Sequence, residues 1–152
     1  MIRERSDFED FEVGETTVSP ARTVTETDIV NFCGLTGDWH PLHTDVEYAA
    51  AGPFGERIAH GMLVLSIGSA LAFRLGRYAV LPKSFIAFYG MEDVRFTWPV
   101  KIGDTIHCES EIVELDGKDA KRGVITSRNR IVNQQGKDCC VYTTKILCGR
   151  RA

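Results

Sequence analysis

The order of apolar and polar positions divides the chain into a helical first half and a stranded second half. "ETTVSPARTVT" carries β-branched residues at Thr16, Val18, Thr23 and Val24. It predicts an edge strand interrupted at Pro20, which has no N–H to give a ladder. "TETDIVNFCGLTG" changes period. Thr25 and Asp28 fit the S/T-x-x-D/E capping pattern, Ile29, Phe32 and Cys33 share one face, and Gly37 is placed to end the helix in the left-handed conformation. Thr44 and Glu47 repeat the capping pattern and predict a short helix through "EYAAA", closed by Gly52. The loop between them is thereby pinned at two helix ends, and Pro41 stiffens it by fixing its own φ. From Met62 to Leu75, ten of fourteen residues are apolar. A helix apolar nearly all round is buried on most sides, and Ser66, Gly68 and Ser69 leave room for a strand or ligand to come close.

Beyond residue 84 the period is two. "SFIAFYGMEDVRFTWPV" (84–100), "DTIHCESEIVEL" (104–115), "GVITSRNRIVN" (123–133) and "CCVYTTKILC" (139–148) read as strands. They are separated by turn signals at Gly103–Asp104, Asp116–Gly117 and Gly136. Ile106, Cys108, Ser110 and Ile112 alternate with polar residues, the pattern of a sheet wet on one face. One buried helix followed by antiparallel strands predicts an α+β fold with the sheet wrapped around the helix.

The 152 residues suit one domain, residues 1–152, with no repeat or linker. A net charge of −3 argues against a nucleic-acid or membrane-surface partner. The charged N-terminus "MIRERSDFEDFEVGE" lacks the apolar run of a signal peptide, and "MLVLSIGSALAFRL" is too short to span a bilayer. Cys33, Cys108, Cys139, Cys140 and Cys148 are odd in number and form no CxxC pair. They read as buried reduced thiols in a cytoplasmic protein, with Cys139 and Cys140 facing opposite sides of a strand. Neither cysteines nor histidines repeat at zinc-ligand spacing, so no metal site is expected.

Against this ordinary background, "TGDWHPLHTD" (36–45) concentrates two histidines, two aspartates, a tryptophan and a proline in ten positions. Asp38 and His43, five apart across a proline, are spaced to converge on one small molecule such as water and to divide acid and base work. Their structural reading is a turn cap and a satisfied hydrogen bond. His60-Gly61-Met62 opens the apolar helix, whose N-terminus offers free N–H groups; with no side chain, Gly61 can present its N–H to a ligand oxygen. Its structural reading is close packing at the helix start. Trp39 and Trp98 read as packing residues. Lys121, Arg122, Arg128, Arg130, Arg150 and Arg151 are candidate holders of phosphate.

The pair of motifs "GDWHPLHTD" and "FGERIAHGML" resembles the signature of MaoC-like dehydratases, also called (R)-specific enoyl-CoA hydratases. Its usual wording is close to G-D-x-N-P-x-H followed by F-G-x-x-I-x-H-G-M. The match covers residues 36–64, in order and spacing. The resemblance implies the hot dog fold, an antiparallel sheet around a long central helix. It implies a hydro-lyase acting on an acyl-CoA thioester, with coenzyme A entering only as part of the substrate and no other cofactor. It also implies at least a homodimer with sheets joined edge to edge, and in some members a hexamer, a trimer of dimers. Residue by residue, it makes Asp38 and His43 the catalytic pair, Gly61 the donor to the thioester carbonyl, and Ser69 an active-site serine. The family's usual Asn is His40 here, which puts substrate range and pH profile in question. The expected reaction is hydration of a trans-2-enoyl-CoA to a (3R)-hydroxyacyl-CoA, or the reverse. The rivals are a relative specialised for a branched, dicarboxylic, aromatic or carrier-protein thioester, a hot dog thioesterase, and a non-catalytic thioester-binding subunit.

Overall fold

The computed structural model describes residues 3–152, apart from the Arg77 side chain. Met1 and Ile2, which begin the charged stretch read above as no signal peptide, lie outside the described residues. Among the described residues no helix is long and apolar enough to cross a membrane.

The first half is short helices. Helix α1 (Glu26–Thr36) is capped as its sequence requires. Asp28 N–H donates to Thr25 Oγ1, Thr25 N–H donates back to Asp28 Oδ2 at 2.8 Å, and Gly37 closes the helix at φ 78°. Helices α2 (Pro41–Thr44) and α3 (Val46–Ala50) follow. The predicted cap at Thr44 is corrected here to Asp45, whose carboxylate accepts from Tyr48 N–H at 3.0 Å. Pro41 starts a helical turn of its own, and the chain straightens at Asp45 before α3 begins. Thr44 ends that first turn, its hydroxyl donating back to the carbonyls of Trp39 and His40. The central helix α4 (Gly61–Leu71) tightens to a 3-10 turn over Ala72–Leu75 and stops at Gly76, where φ is 116°. A last turn, α5 (Arg77–Val80), leads into the sheet.

The predicted edge strand is two pieces, β1 (Thr16–Val18) and β2 (Arg22–Thr23), on either side of Pro20. Then come β3 (Phe85–Phe96), β4 (Thr105–Asp116), β5 (Arg122–Asn133) and β6 (Asp138–Gly149). They form one antiparallel six-stranded sheet in the order β1-β4-β5-β6-β3, with β2 also on β4. Its inner face wraps α4. Leu63, Val64, Leu65, Ile67 and Leu71 pack with Ile106, Ile131, Cys140 and Tyr142 in the main core. A second cluster, with Phe8, Phe11, Ile112, Ile125 and Cys148, closes the far end.

Two details of packing reach the rest of the molecule. Cys139 and Cys140 are both buried and both in the main core. Ile131 pairs Cys140 while Val132 pairs Asp138, so Cys139 is the extra residue of a β-bulge rather than the outward partner in a regular strand. All five cysteines are free and buried, and burial pushes the Cys139, Cys140 and Cys148 thiols up to about 11. Gly68 sits mid-helix because nothing larger fits: a Cβ there would lie 2.2 Å from Ile131 Cδ1. Glycine costs helix stability, about 1 kcal/mol relative to Ala, but lets α4 lie directly on β5. We expect Gly68→Ala to lower stability by about 1–3 kcal/mol, the usual penalty of overpacking. Ile131→Val in the same chain should recover part of that loss in a denaturant melt; no recovery would refute the contact as the cause.

Candidate active site

The loop after α1 is built from local hydrogen bonds. Asp38 N–H donates to Thr36 Oγ1 at 3.2 Å, and His40 N–H donates to Asp38 Oδ1 at 3.2 Å. His40 then caps α2, its Nδ1 accepting from Leu42 N–H at 3.1 Å. Asparagine, the commoner residue in this motif, is a preferred N-cap for the same reason: a side-chain acceptor placed to meet a free N–H. The His40 ring is exposed and stands edge-on to Tyr48. Its acceptor nitrogen serves the backbone of this turn.

The turn carries His43 toward Ile58, whose carbonyl accepts from His43 Nδ1 at 2.7 Å. A carbonyl can only accept, so Nδ1 bears the proton and Nε2 keeps a free lone pair. The His60 ring stacks on His43, centroids 3.8 Å apart and planes 27° apart. Its Nε2 donates to the backbone carbonyl of Asp38 at 3.0 Å, with Cys33 Sγ 3.7 Å away. His60 is only 3% exposed, and its Nδ1 is a buried atom without a partner. Because His60 opens α4, that lone pair belongs to the end of the helix where the dipole is positive.

Asp38, His43 and His60 thus converge, one carboxylate oxygen of Asp38 and one ring nitrogen of each histidine all lying within 4.8 Å of one another. Asp38 keeps its carboxylate about half exposed, 3.9 Å from His60 Nε2. Burial holds the His43 imidazole below its ordinary 6.5, aided by His60, while the Ile58 carbonyl and Asp38 oppose the shift. His43 is therefore neutral at neutral pH. Such a constellation can hold and polarise one water. The same three side chains could also offer ligands to a cation. Two ligands of one zinc lie no more than about 4.2 Å apart, so a cluster spread over as much as 4.8 Å would have to contract.

Gly61 is the first residue of α4, and a Cβ there would meet the Phe96 ring at 2.9 Å. Close packing is thus a real reason for glycine. The two readings are compatible, since the N–H groups of a first helical turn have no intrahelical acceptor. Gly61 borders a cleft of about 210 Å³ with Ile58, Phe96 and Trp98. Ser69 does not join the cluster. It lies two turns along α4, roughly 12 Å by helical rise, donates to Ser66 O at 3.2 Å, and borders a separate apolar cavity of about 350 Å³. Trp39 and Trp98 are 54% and 45% exposed, which corrects the expectation that they are packing residues: neither is in the core. Among the basic candidates, Arg122, Arg130, Arg150 and Arg151 each face a carboxylate within 3 Å, and Arg128 faces Glu111 at 4.0 Å.

Two participants carry little signal in the sequence. His60, at the start of α4 and within the second motif, left a loop-orienting or site-lining role and a purely structural one equally open, and the Ile58 carbonyl, being backbone, had no signal. The His40 cap leads to a direct expectation. His40→Asn should keep the melting temperature, because the acceptor survives, whereas His40→Ala should lose about 1 kcal/mol. Equal stability of the two variants would refute the cap.

Residues 10–134 match the family described as MaoC like domain. The chain is 45% identical over 102 residues to Protein MaoC of Klebsiella aerogenes and 38% identical over 108 residues to a 3-hydroxybutyryl-CoA dehydratase of Methylorubrum extorquens. These matches cover 67% and 71% of this chain but only 29% and 64% of those proteins. Among solved structures, a protein of Archaeoglobus fulgidus described as a monoamine oxidase regulatory protein superposes with a TM-score of 0.91 at 42% identity, covering 100% of this chain and 99% of that one. An R-hydratase of Pseudomonas aeruginosa superposes at 0.77 with 31% identity, covering 97% and 88%. The fold is the hot dog fold.

Proposed function

This chain belongs to the MaoC-like domain family, and on that premise we propose that it is a hydro-lyase interconverting a trans-2-enoyl-CoA and its (3R)-hydroxyacyl-CoA. The observation that carries the reading is the free Nε2 of a neutral His43, held in one tautomer by Ile58 and set beside the Asp38 carboxylate. The names of two relatives, a 3-hydroxybutyryl-CoA dehydratase and an R-hydratase, support the reaction class.

In the hydration direction, water sits between Asp38 and His43. His43 Nε2 takes one of its protons as the oxygen bonds to C3. The electrons of the C2–C3 double bond move toward the thioester oxygen, where the Gly61 N–H at the positive end of α4 stabilises the developing charge. The dyad then delivers a proton to C2 on the same face, so water is added once and the dyad returns to its starting state. Asp38 orients the water and stabilises the imidazolium that forms. His60 fixes this geometry from behind, by stacking on one partner and holding the backbone of the other. The reaction as written calls on no resident metal or redox group; coenzyme A arrives with the substrate.

A homodimer is part of the same proposal. Strand β3 is the outer strand of the sheet, and it exposes Phe85, Ile86, Phe88 and Tyr89. An exposed apolar edge invites a second copy. Sedimentation should give twice the chain mass, and Ile86→Lys with Phe88→Lys should shift it toward monomer; a monomeric wild type would refute this.

The catalytic assignment is tested by crotonyl-CoA hydration, followed through loss of the conjugated thioester absorbance. Asp38→Asn and His43→Ala should each lose on the order of 10²–10⁴ in rate. The pH profile should fall on the acid side. A base whose pKa is lowered stays active until pH drops through that depressed value, so the limb should lie below 6.5. Near-normal turnover in either folded variant, or an acid limb above that value, would overturn it.

A further inference from the structure

The cavity beside Ser69 is apolar over most of its wall but not on its floor. It lies between the two core clusters, with Tyr142 of one and Phe11, Ile112 and Ile125 of the other on its wall. The floor is the inner face of the sheet. Strand pairing sets Thr17, Ser110, Asn129 and Tyr142 side by side in one row across β1, β4, β5 and β6. Ile112, Ser127 and Thr144 form the next row, and the residues of both rows border the cavity. Beyond them on one side lie Cys108, Ile131 and Cys140, and on the other Ile125 and Ile146. A polar band thus crosses a face that is apolar above and below it.

Polar groups on a buried face need partners, and this band supplies only some of its own. Asn129 Nδ2 donates to the carbonyls of Ser127 at 3.0 Å and Tyr142 at 3.5 Å, and to Thr144 Oγ1 at 3.0 Å. Carbonyls only accept, so the amide nitrogen is fixed on that side and Oδ1 faces the other way. Among the described residues no donor meets Asn129 Oδ1, and the Ser110 and Ser127 hydroxyls make no hydrogen bond. Ser127 and Asn129 are only 9% and 6% exposed. Their unpaired atoms are nevertheless not sealed in protein, as His60 Nδ1 is, and so they open onto the cavity. The band offers no free charge. Arg5 and Glu15 also reach the wall, but they form an ion pair with one another.

An uncovered stripe of α4 joins this cavity to the proposed site. Met62, Ser66, Ser69 and Phe73 are spaced i, i+4, i+7 and i+11, along one side of the helix and the turn after it. Met62 and Phe73 are 56% and 50% exposed, and Ser66 is exposed. The stripe starts beside Gly61 and ends at the cavity, which Ser69 and Phe73 border. A chain whose thioester is held at Gly61 runs about 12 Å along it to reach Ser69.

Resting on the proposed function, we infer that the polar band recognises a hydroxyl group carried by the substrate's acyl chain, well beyond the reacting carbons. The preferred thioester is then a medium or longer chain with one neutral hydroxyl. A hydroxyl both donates and accepts. It gives its proton to Asn129 Oδ1, which can only accept, and takes one from Ser110. Those two residues are directly opposite in the β4–β5 pair, close enough for one group to meet both. A carboxylate would find no free cation there. A plain alkyl chain would leave Asn129 Oδ1 and the two serine hydroxyls unpaired and dry. That cost is how such a surface separates a hydroxylated chain from a plain one. Ser110, Ser127 and Asn129 are thus specificity residues remote from the reacting atoms.

The test compares trans-2-decenoyl-CoA with the same thioester hydroxylated at C8, C9 or C10. Wild type should favour at least one hydroxylated chain by about tenfold or more in kcat/KM. Ser110→Ala with Ser127→Ala should bring that ratio to within about twofold. Neither hydroxyl bonds to the rest of the chain, so the double variant should keep its fold, which a thermal melt checks. A plain chain hydrated as well as every hydroxylated one, or a preference that survives in the folded double variant, would overturn the inference. Calorimetric titration of wild type with the saturated decanoyl-CoA and its hydroxylated forms reads the same preference without turnover. Tighter binding of a hydroxylated form together with no hydration of any enoyl thioester would keep the polar band and retire the hydratase reading. Equal binding of all forms would retire the band, whatever the hydration assay shows.

Discussion

The site depends on how one extended stretch, Ile58–His60, is stitched to the chain leaving β3. Ala59 N–H donates to Val100 O at 2.7 Å, and Ile58 bridges Lys101. With its backbone held on that side, the stretch turns the Ile58 carbonyl to His43 and lays the His60 ring against it. His60 reaches further, to the carbonyl of Asp38. The end of α1, the turn of α2 and the start of α4 therefore share one reference. Short helices on a loop have little stiffness of their own; tied to a common strand-like segment, they can hold reacting groups to the narrow tolerance that acid–base chemistry needs.

That arrangement carries features a fold selected for stability alone would avoid. A buried imidazole nitrogen without a partner costs stability; His60 Nδ1 is such an atom. Glycine at positions 61 and 68 sacrifices helix propensity, in one place for the Phe96 ring and in the other for Ile131. Sites where local rules are broken are expected to be functional. The breaks in this chain cluster along α4, the helix that links core and site.

The sheet contributes through its irregularities as well as its core. A regular β6 would point Cys139 away from the core. The bulge instead buries both cysteines, and the Cys139 carbonyl, continuing the pairing of β3 with β6 past Phe96, anchors Thr97 and Trp98. One inserted residue thus connects core packing to the wall of the cleft beside Gly61, an economical use of a single extra position at the sheet's rim.

What the sequence determined by itself was local or periodic. The capping box of α1, the left-handed Gly37, the buried stripe of α4 and the four long strands follow from residues that interact three or four apart or alternate by two. A neighbour's identity is enough to set those preferences. The turns that separate the strands were legible for the same reason, whereas the two motifs around Asp38 and Gly61 stood out as unusual residue runs and took their expected roles from the resemblance to a family signature. Other features needed the chain to be folded. Asp45 displaced Thr44 as a cap because Pro41 began a turn of its own. His60 joined Asp38 and His43 because Ile58–His60 docks beside Val100. The bulge at Cys139 arose from strand register, which no single strand records. Such features depend on which distant segments share a hydrogen bond or a packed face, and only the tertiary structure makes that choice.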